Sequence, residues 1–303
     1  MAIAAAQAPA AREVCVTFDD LPIAGVVSHD VRSSRAITAK LLGAITAHHI
    51  PAIGFVNEGK LAEGSGGVPR RDRVELLRMW LDAGLELGNH TYAHIDLNRT
   101  PLADFEQDVL RGEAVTRPLL AARGMTLRFF RHPFLHTGRD LDTKRGVESF
   151  LAEHGYRVAP VTIDNDEYIF AAAYDLAAAR VDRDLMRRVA AAYVPYMDAK
   201  FAFFERNSRD LFGYEMRQVL LVHANPLNAD RFGDLAAAIE KRGYRFITLD
   251  RALEDHAYRS PDTYTGTGGI TWIHRWALTK GMSRAFYAGE PEVPEFVAKA
   301  AVP

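Results

Sequence analysis

The chain has 303 residues, 48% of them hydrophobic and 25% charged, with a formal net charge of −2. That length accommodates one large α/β barrel or two ordinary domains and buries a sizeable core. The near-neutral charge argues against nucleic acid or an anionic membrane as the primary partner, and no run approaches the ~20 apolar residues of a membrane-spanning helix.

The start, MAIAAAQAPAARE, is Ala-rich, and AAAQA has the small-residue character of a signal-peptidase site, without a basic or full apolar region before it. Residues 1–12 are expected to be flexible and the remnant of an export signal, which makes the protein periplasmic or secreted; plain disorder is the alternative. The single cysteine, Cys15, excludes an intrachain disulfide and sits in the apolar run VCVTF as a buried structural thiol.

From there one unit recurs: amphipathic helix, glycine, short aliphatic strand. Gly84, Gly124, Gly155 and Gly243 stand at the junctions, where a helix commonly ends on a left-handed residue. The pattern predicts strands near 13–18, 52–56, 85–88, 127–131, 157–163, 218–223 and 244–248. Helices are predicted over 33–49 and 71–84, and a further one begins with Thr100 as N-cap and Pro101 in its first turn. Seven β–α alternations favour a parallel sheet, either closed as a barrel or open.

Residues 174–213 break the rhythm. Leu176, Leu185, Val189, Tyr193, Tyr196 and Met197 recur at near-helical spacing, with Pro195 expected to kink or divide the helix. The segment reads as helices packed on the barrel, or as a lid over a cleft. Further on, TWIHRW alternates as an extended segment would; Trp272, His274 and Trp276 either pack over the barrel or offer platforms to sugar rings.

The chemistry lies where the strands end. His90 and His94 in LGNHTYAH are four apart, a spacing that shares one helix face and suits either a metal or a solvated helix start. The first strongly polar residues after five predicted strands are Asp19 and Asp20, Asn89 and His90, Arg131 and His132, Asp164, and His223 and Asn225. Parallel barrels and open sheets build their sites at the carboxyl ends of the strands. Scattered solvated residues would not fall so regularly at one end. His29, His132 and His136 belong to the same end and read as cleft lining, not ligands.

The stretches TFDD, HTYAH, RHPF, TIDNDEY and LLVHAN resemble, in order, the five motifs of the polysaccharide deacetylases, the NodB-homology group or carbohydrate esterase family 4. The resemblance covers roughly residues 13–250. It implies a distorted (β/α) barrel, here of about seven parallel strands over 13–257; the helical insertion at 174–213 is longer than compact members of the family need, and 258–303 reads as a C-terminal extension packed on the barrel. It also implies metal-dependent removal of acetyl groups from an N- or O-acetylated carbohydrate.

By the same resemblance Asp20, His90 and His94 ligate a divalent metal, zinc first and cobalt or another divalent ion compatible with the same set. Asp19 is then the base that takes a proton from the attacking water, and His223 the acid that protonates the leaving nitrogen or oxygen. Arg131 pairs with Asp19 and keeps its pKa low, Asp164 orients Arg131, and the Phe134 N–H after Pro133 is an oxyanion donor. Adjacent aspartates on a true strand point to opposite faces, so the chain is expected to leave the strand at Asp19. Two positions depart from the family pattern: Tyr168 stands where tryptophan is usual and Phe134 where tyrosine is frequent, so the acetyl pocket should differ in shape. Competing readings are hydrolysis of a non-sugar amide or formamide at the same site, a sugar-binding protein without catalysis, and a non-haem iron oxygenase, whose two histidines and carboxylate have the same make-up.

Overall fold

The computed structural model describes residues 12–62 and 67–302, so nearly all of the expected export remnant lies outside the described residues. The chain runs β1 (Arg12–Leu21), α1 (Val31–Ala47), β2 (Ile53–Val56), α2 (Arg71–Asp82), β3 (Glu86–Asn89), α3 (Leu102–Arg111), α4 (Thr116–Ala121), β4 (Phe129–Phe130), α5 (Leu141–Glu153) and β5 (Arg157–Val158). It continues with α6 (Glu167–Ala179), α7 (Arg183–Phe212), β6 (Gln218–His223), α8 (Pro226–Lys241), β7 (Tyr244–Phe246), α9 (Leu249–Leu253), α10 (Trp272–Thr279) and α11 (Glu295–Ala300).

All the strand pairings are parallel, in the order β5-β4-β3-β2-β1-β6, with β7 on the first residues of β1. β1 and β6 are apolar on both faces because both are buried: Val14, Val16, Phe18, Leu220 and Val222 pack with the helices, and Cys15 and Val219 pack with Ile53, Phe55, Phe129 and Ala159 inside the curled sheet. Phe18 of β1 shows how the layers lock. Its ring meets Trp80 of α2 at 5.3 Å and Phe232 of α8 at 5.1 Å, both edge to face, and all three are fully buried.

The predicted strand 157–163 is broken in two, and the break closes the barrel. Arg157 and Val158 pair with β4, and the Ala159 N–H donates to Phe130 O at 2.8 Å. Pro160 has no N–H to continue the ladder. Beyond it Thr162 and Ile163 both donate to Val219 O of β6 at 3.0 Å. One segment thus reaches both edges of the sheet, which curls into a distorted barrel.

Three further expectations change. His90 and His94 lie in an irregular loop, not on a helix: α3 begins only at Leu102, with Pro101, not Thr100, as its N-cap. α7 runs for 30 residues through Pro195 without dividing, its Val189, Tyr193, Tyr196 and Met197 buried along one side. TWIHRW is not extended; it opens the helix α10, where Trp272 through Ala277 are all buried. A helix buried on every side has no amphipathic period to read, so alternation over a few residues misleads there. No helix among the described residues is long and apolar enough to cross a membrane.

Candidate active site

The two aspartates of TFDD reach one site without the strand ending. β1 continues to Leu21, but its register against β2 shifts between Phe18 and Leu21, and Asp20 takes the left-handed conformation, φ 68°. A bulge of this kind re-aims side chains that a regular pleat would send to opposite faces. Among the described residues seven non-glycine residues have positive φ, and five of them are Asp20, Thr91, His94, Phe134 and Leu135. Such backbone is disfavoured for L-residues and concentrates where side chains must converge.

Asp20, His90 and His94 offer one ligand atom each, all within 4.8 Å of one another. The Nε2 atoms of His90 and His94 lie 3.6 and 3.4 Å from Asp20 Oδ1, which is buried and accepts no hydrogen bond. His90 Nδ1 is 2.8 Å from Arg131 O, so Nδ1 carries the proton and Nε2 presents its lone pair. Burial drives the pKa of both histidines down, so both are neutral, as ligands must be. Burial pushes Asp20 up, but the Lys60 ammonium, with the charged His223, outweighs it and holds the carboxyl well below the usual range. Lys60 Nζ, 3.4 Å from Asp20 Oδ2 and donating to Asp20 O at 3.0 Å, leaves Oδ1 to face the histidines. An orphaned buried carboxylate oxygen faced by two imidazole lone pairs fits a divalent cation.

The loop that brings the histidines together is pinned by its neighbours. Thr91 N–H donates to Asn89 Oδ1 at 2.7 Å, Ala93 N–H to Asp108 of α3 at 2.9 Å, and Asn57 Nδ2 to His90 O at 2.5 Å.

Asp19 is 3% exposed and faces a fully buried Arg131, whose Nη1 lies 3.2 Å from each carboxylate oxygen. Nη2 donates to Thr17 Oγ1 at 2.9 Å and Nε to Ala159 O at 2.8 Å. The expected order of influence on Asp19 is reversed: burial pushes its pKa up to about 6 against the pull of Arg131 and His223. Asp164 does not orient Arg131, whose donors go to Asp19, Thr17 and Ala159. Asp164 accepts the Asn165 N–H at 2.8 Å instead, and burial raises it to about 7. It lines the cleft beside Tyr168.

His223 pairs in register with Asp19 across β1 and β6, and its Nδ1 lies 2.8 Å from Glu167 Oε2. Glu167, 1% exposed at the start of α6, also accepts from the side chains of Asn225 and Asn228. Burial alone would lower the His223 pKa; Glu167, with Asp20 and Asp19, raises it to about 9. The sequence reading missed Glu167. It sits inside TIDNDEY, but an acid in a helix's first turn is ordinary.

Asp19, Asp20, His90, His94, Asp164 and His223 line one cleft of about 520 Å³, a size suited to a small organic moiety. Phe134 and Tyr168, 51% and 58% exposed, stand on its rim. Pro133 opens the turn below Phe134; Leu135 N–H donates to His132 O at 3.1 Å and His136 N–H to Pro133 O at 3.0 Å, which leaves the Phe134 N–H outside the turn's own bonds. His132 and His136 line the cleft as expected, whereas His29 pairs with Asp175 at 3.0 Å in a separate hollow. None of residues 174–213 lines the cleft, so the helices there pack on the barrel and do not cover it.

The chain is similar to a chitooligosaccharide deacetylase of Sinorhizobium fredii, 29% identical over 144 residues, 48% of this chain and 57% of that one. It is also similar to a chitin deacetylase of Colletotrichum lindemuthianum, 26% identical over 155 residues, 51% of this chain and 52% of that one. It therefore spans about half the length of the curated relatives it matches. The solved structure of the chitin deacetylase from the fungal pathogen Colletotrichum lindemuthianum superposes with a TM-score of 0.54 at 20% identity, over 81% of this chain and 88% of that one, and shares the fold. Residues 6–159, about half of the chain, match the family described as polysaccharide deacetylase, and with the barrel and the strand-end cluster in place the chain belongs to that family.

Proposed function

We propose that the protein is a metal-dependent deacetylase that hydrolyses acetyl groups on an N- or O-acetylated carbohydrate. The observation that carries this reading is the separation of tasks within one cleft. A three-ligand cluster, a carboxylate held by a buried arginine, and an imidazole held by a buried glutamate all face the same space.

Asp20, His90 and His94 would hold a divalent ion, zinc by preference, which when bound would supply a Lewis acid for an acyl carbonyl and for water near neutral pH. Asp19 is not needed as a ligand and takes the proton of the attacking water. Arg131 keeps its carboxylate turned toward the cleft, and burial places its pKa near 6, where it is both ionised at neutral pH and a useful base. The Phe134 N–H donates to the developing oxyanion; one such backbone donor commonly contributes about 2.7–4 kcal/mol. His223, charged because of Glu167, gives its proton to the leaving nitrogen or oxygen. Phe134 and Tyr168 on the rim supply apolar surface for a sugar ring, with the tyrosine hydroxyl as a polar tip.

The test is acetate release from chitooligosaccharides, acetylxylan, peptidoglycan fragments and an aryl acetate, with metal-stripped protein and with zinc or cobalt restored. Release that requires the metal supports the reading, and the preferred substrate assigns amide or ester. No release from any sugar, with turnover of a simple amide or formamide, would move the reading to a non-sugar substrate.

A further inference from the structure

The turn that carries Phe134 is gripped by a residue that no motif of the barrel contains. Arg275 lies on α10, in the C-terminal extension, and is 0% exposed. Its Nη2 donates to Leu135 O, its Nη1 to Thr137 Oγ1 at 2.8 Å and its Nε to Ile270 O at 3.0 Å. Its charge is met by Asp262, 3.7 Å from Nη1, and its plane lies over the Trp272 ring at 4.2 Å. A buried guanidinium is costly unless its donors are answered, and two of the acceptors here belong to the Pro133–Thr137 turn.

That turn needs holding. Phe134 and Leu135 have φ of 55° and 54°, two consecutive non-glycine residues in the left-handed region, a conformation that persists only where the surroundings impose it. The extension touches it a second time: a Cβ added at Gly269 would lie 1.8 Å from Phe134 O, and Gly269 is itself part of the cleft wall. The carbonyls of both strained residues are thus in contact with the same C-terminal segment.

We infer that Arg275 is a positioning residue for the reaction: with Gly269 it holds the 133–137 turn in the conformation that leaves the Phe134 N–H free at the cleft. The C-terminal extension is then a component of the active site, not a cover on the barrel. The inference rests on the deacetylase reading for its kinetic consequence. Arginine suits the task because its planar fork spans Leu135 O and Thr137 Oγ1 together, which a lysine ammonium does not.

The experiment compares Arg275→Met, Arg275→Lys, Thr137→Val and Gly269→Ala with the wild type, each in the metal-loaded full chain. The readouts are kcat, KM, metal content, thermal midpoint and amide hydrogen exchange over 133–137. In Arg275→Met, kcat should fall roughly tenfold to a hundredfold and by more than KM rises, because a misplaced oxyanion donor acts on the transition state whereas the shifted Phe134 ring affects binding. Thr137→Val and Gly269→Ala should each lose kcat by roughly threefold or more on the same argument, and Arg275→Lys should fall between Met and wild type. Metal content should not change, and amides of 133–137 should exchange faster. Wild-type kcat in folded Arg275→Met, with only a lower thermal midpoint, would overturn the inference. If Arg275→Met does not fold, wild-type kcat in Thr137→Val and Gly269→Ala would overturn it equally. If the wild type itself releases no acetate, the deacetylase reading fails; the grip on the turn is still decided by exchange, and unaltered exchange over 133–137 in Arg275→Met would overturn it.

Discussion

His223 ends β6 and His90 directly follows β3 of the same sheet, yet their surroundings drive them to opposite charge states. His90 is buried with its Nδ1 proton on a carbonyl, and burial takes its pKa far down. For His223 burial is outweighed by the Glu167 carboxylate, which raises it to about 9. One imidazole is thereby kept neutral and the other charged, which suits the first to the proposed role of ligand and the second to that of acid. The pH dependence follows: Asp19 must be ionised and His223 protonated, so kcat/KM should rise through about pH 6 and fall through about pH 9. Glu167→Gln removes the charge that holds the His223 proton. The basic limb should move to lower pH while the acidic limb stays, which a pH–rate profile of the variant checks. The sign for stability is the same: a histidine raised above its unfolded value of about 6.5 contributes stability fully present below that pH and lost as the pH rises through about 9. His94→Ala should lower zinc content on dialysis without unfolding the chain, because its ring is part exposed and packs on the rim residue Phe134 rather than in the core.

At the scale of elements, β1 carries the most. It pairs with β2, β6 and β7, delivers Asp19 and Asp20 through its bulge, and places Phe18 between α2 and α8 one residue before the site. Phe18→Ala should therefore cost about 3–5 kcal/mol, read as a lower urea midpoint at unchanged slope. The strand ends and their polar residues were legible because a parallel strand covered on both faces shows as an unbroken apolar run, with function just past its end. Less could be read where contacts are long-range. Glu167 looks like any acidic residue opening a helix until β6 is set beside α6. The grip of Arg275 on Leu135 joins residues 140 apart in sequence. α10 was misread because burial on all sides erases its period, and the His90–His94 spacing suggested a helix where left-handed residues in a loop do the converging.

For the whole molecule, closure of the barrel turns a set of strand ends into a site. Residues 157–163 join β4 to β6, which sets the Arg131 side of the sheet facing the Asp19–His223 side, and Ala159 within that segment accepts a hydrogen bond from Arg131 itself. The C-terminal extension docks on the same segment, Trp272 N–H donating to Val161 O at 2.8 Å. The most direct test of the account is a zinc titration of metal-stripped wild type and Asp19→Asn, following bound metal and acetate release in the same samples. The account predicts that both bind about one ion per chain, as a single three-ligand site allows, and that only the wild type releases acetate, in proportion to the ion bound. Acetate release independent of added zinc, or an Asp19→Asn chain that no longer binds it, would contradict the division of labour between Asp19 and the Asp20–His90–His94 cluster.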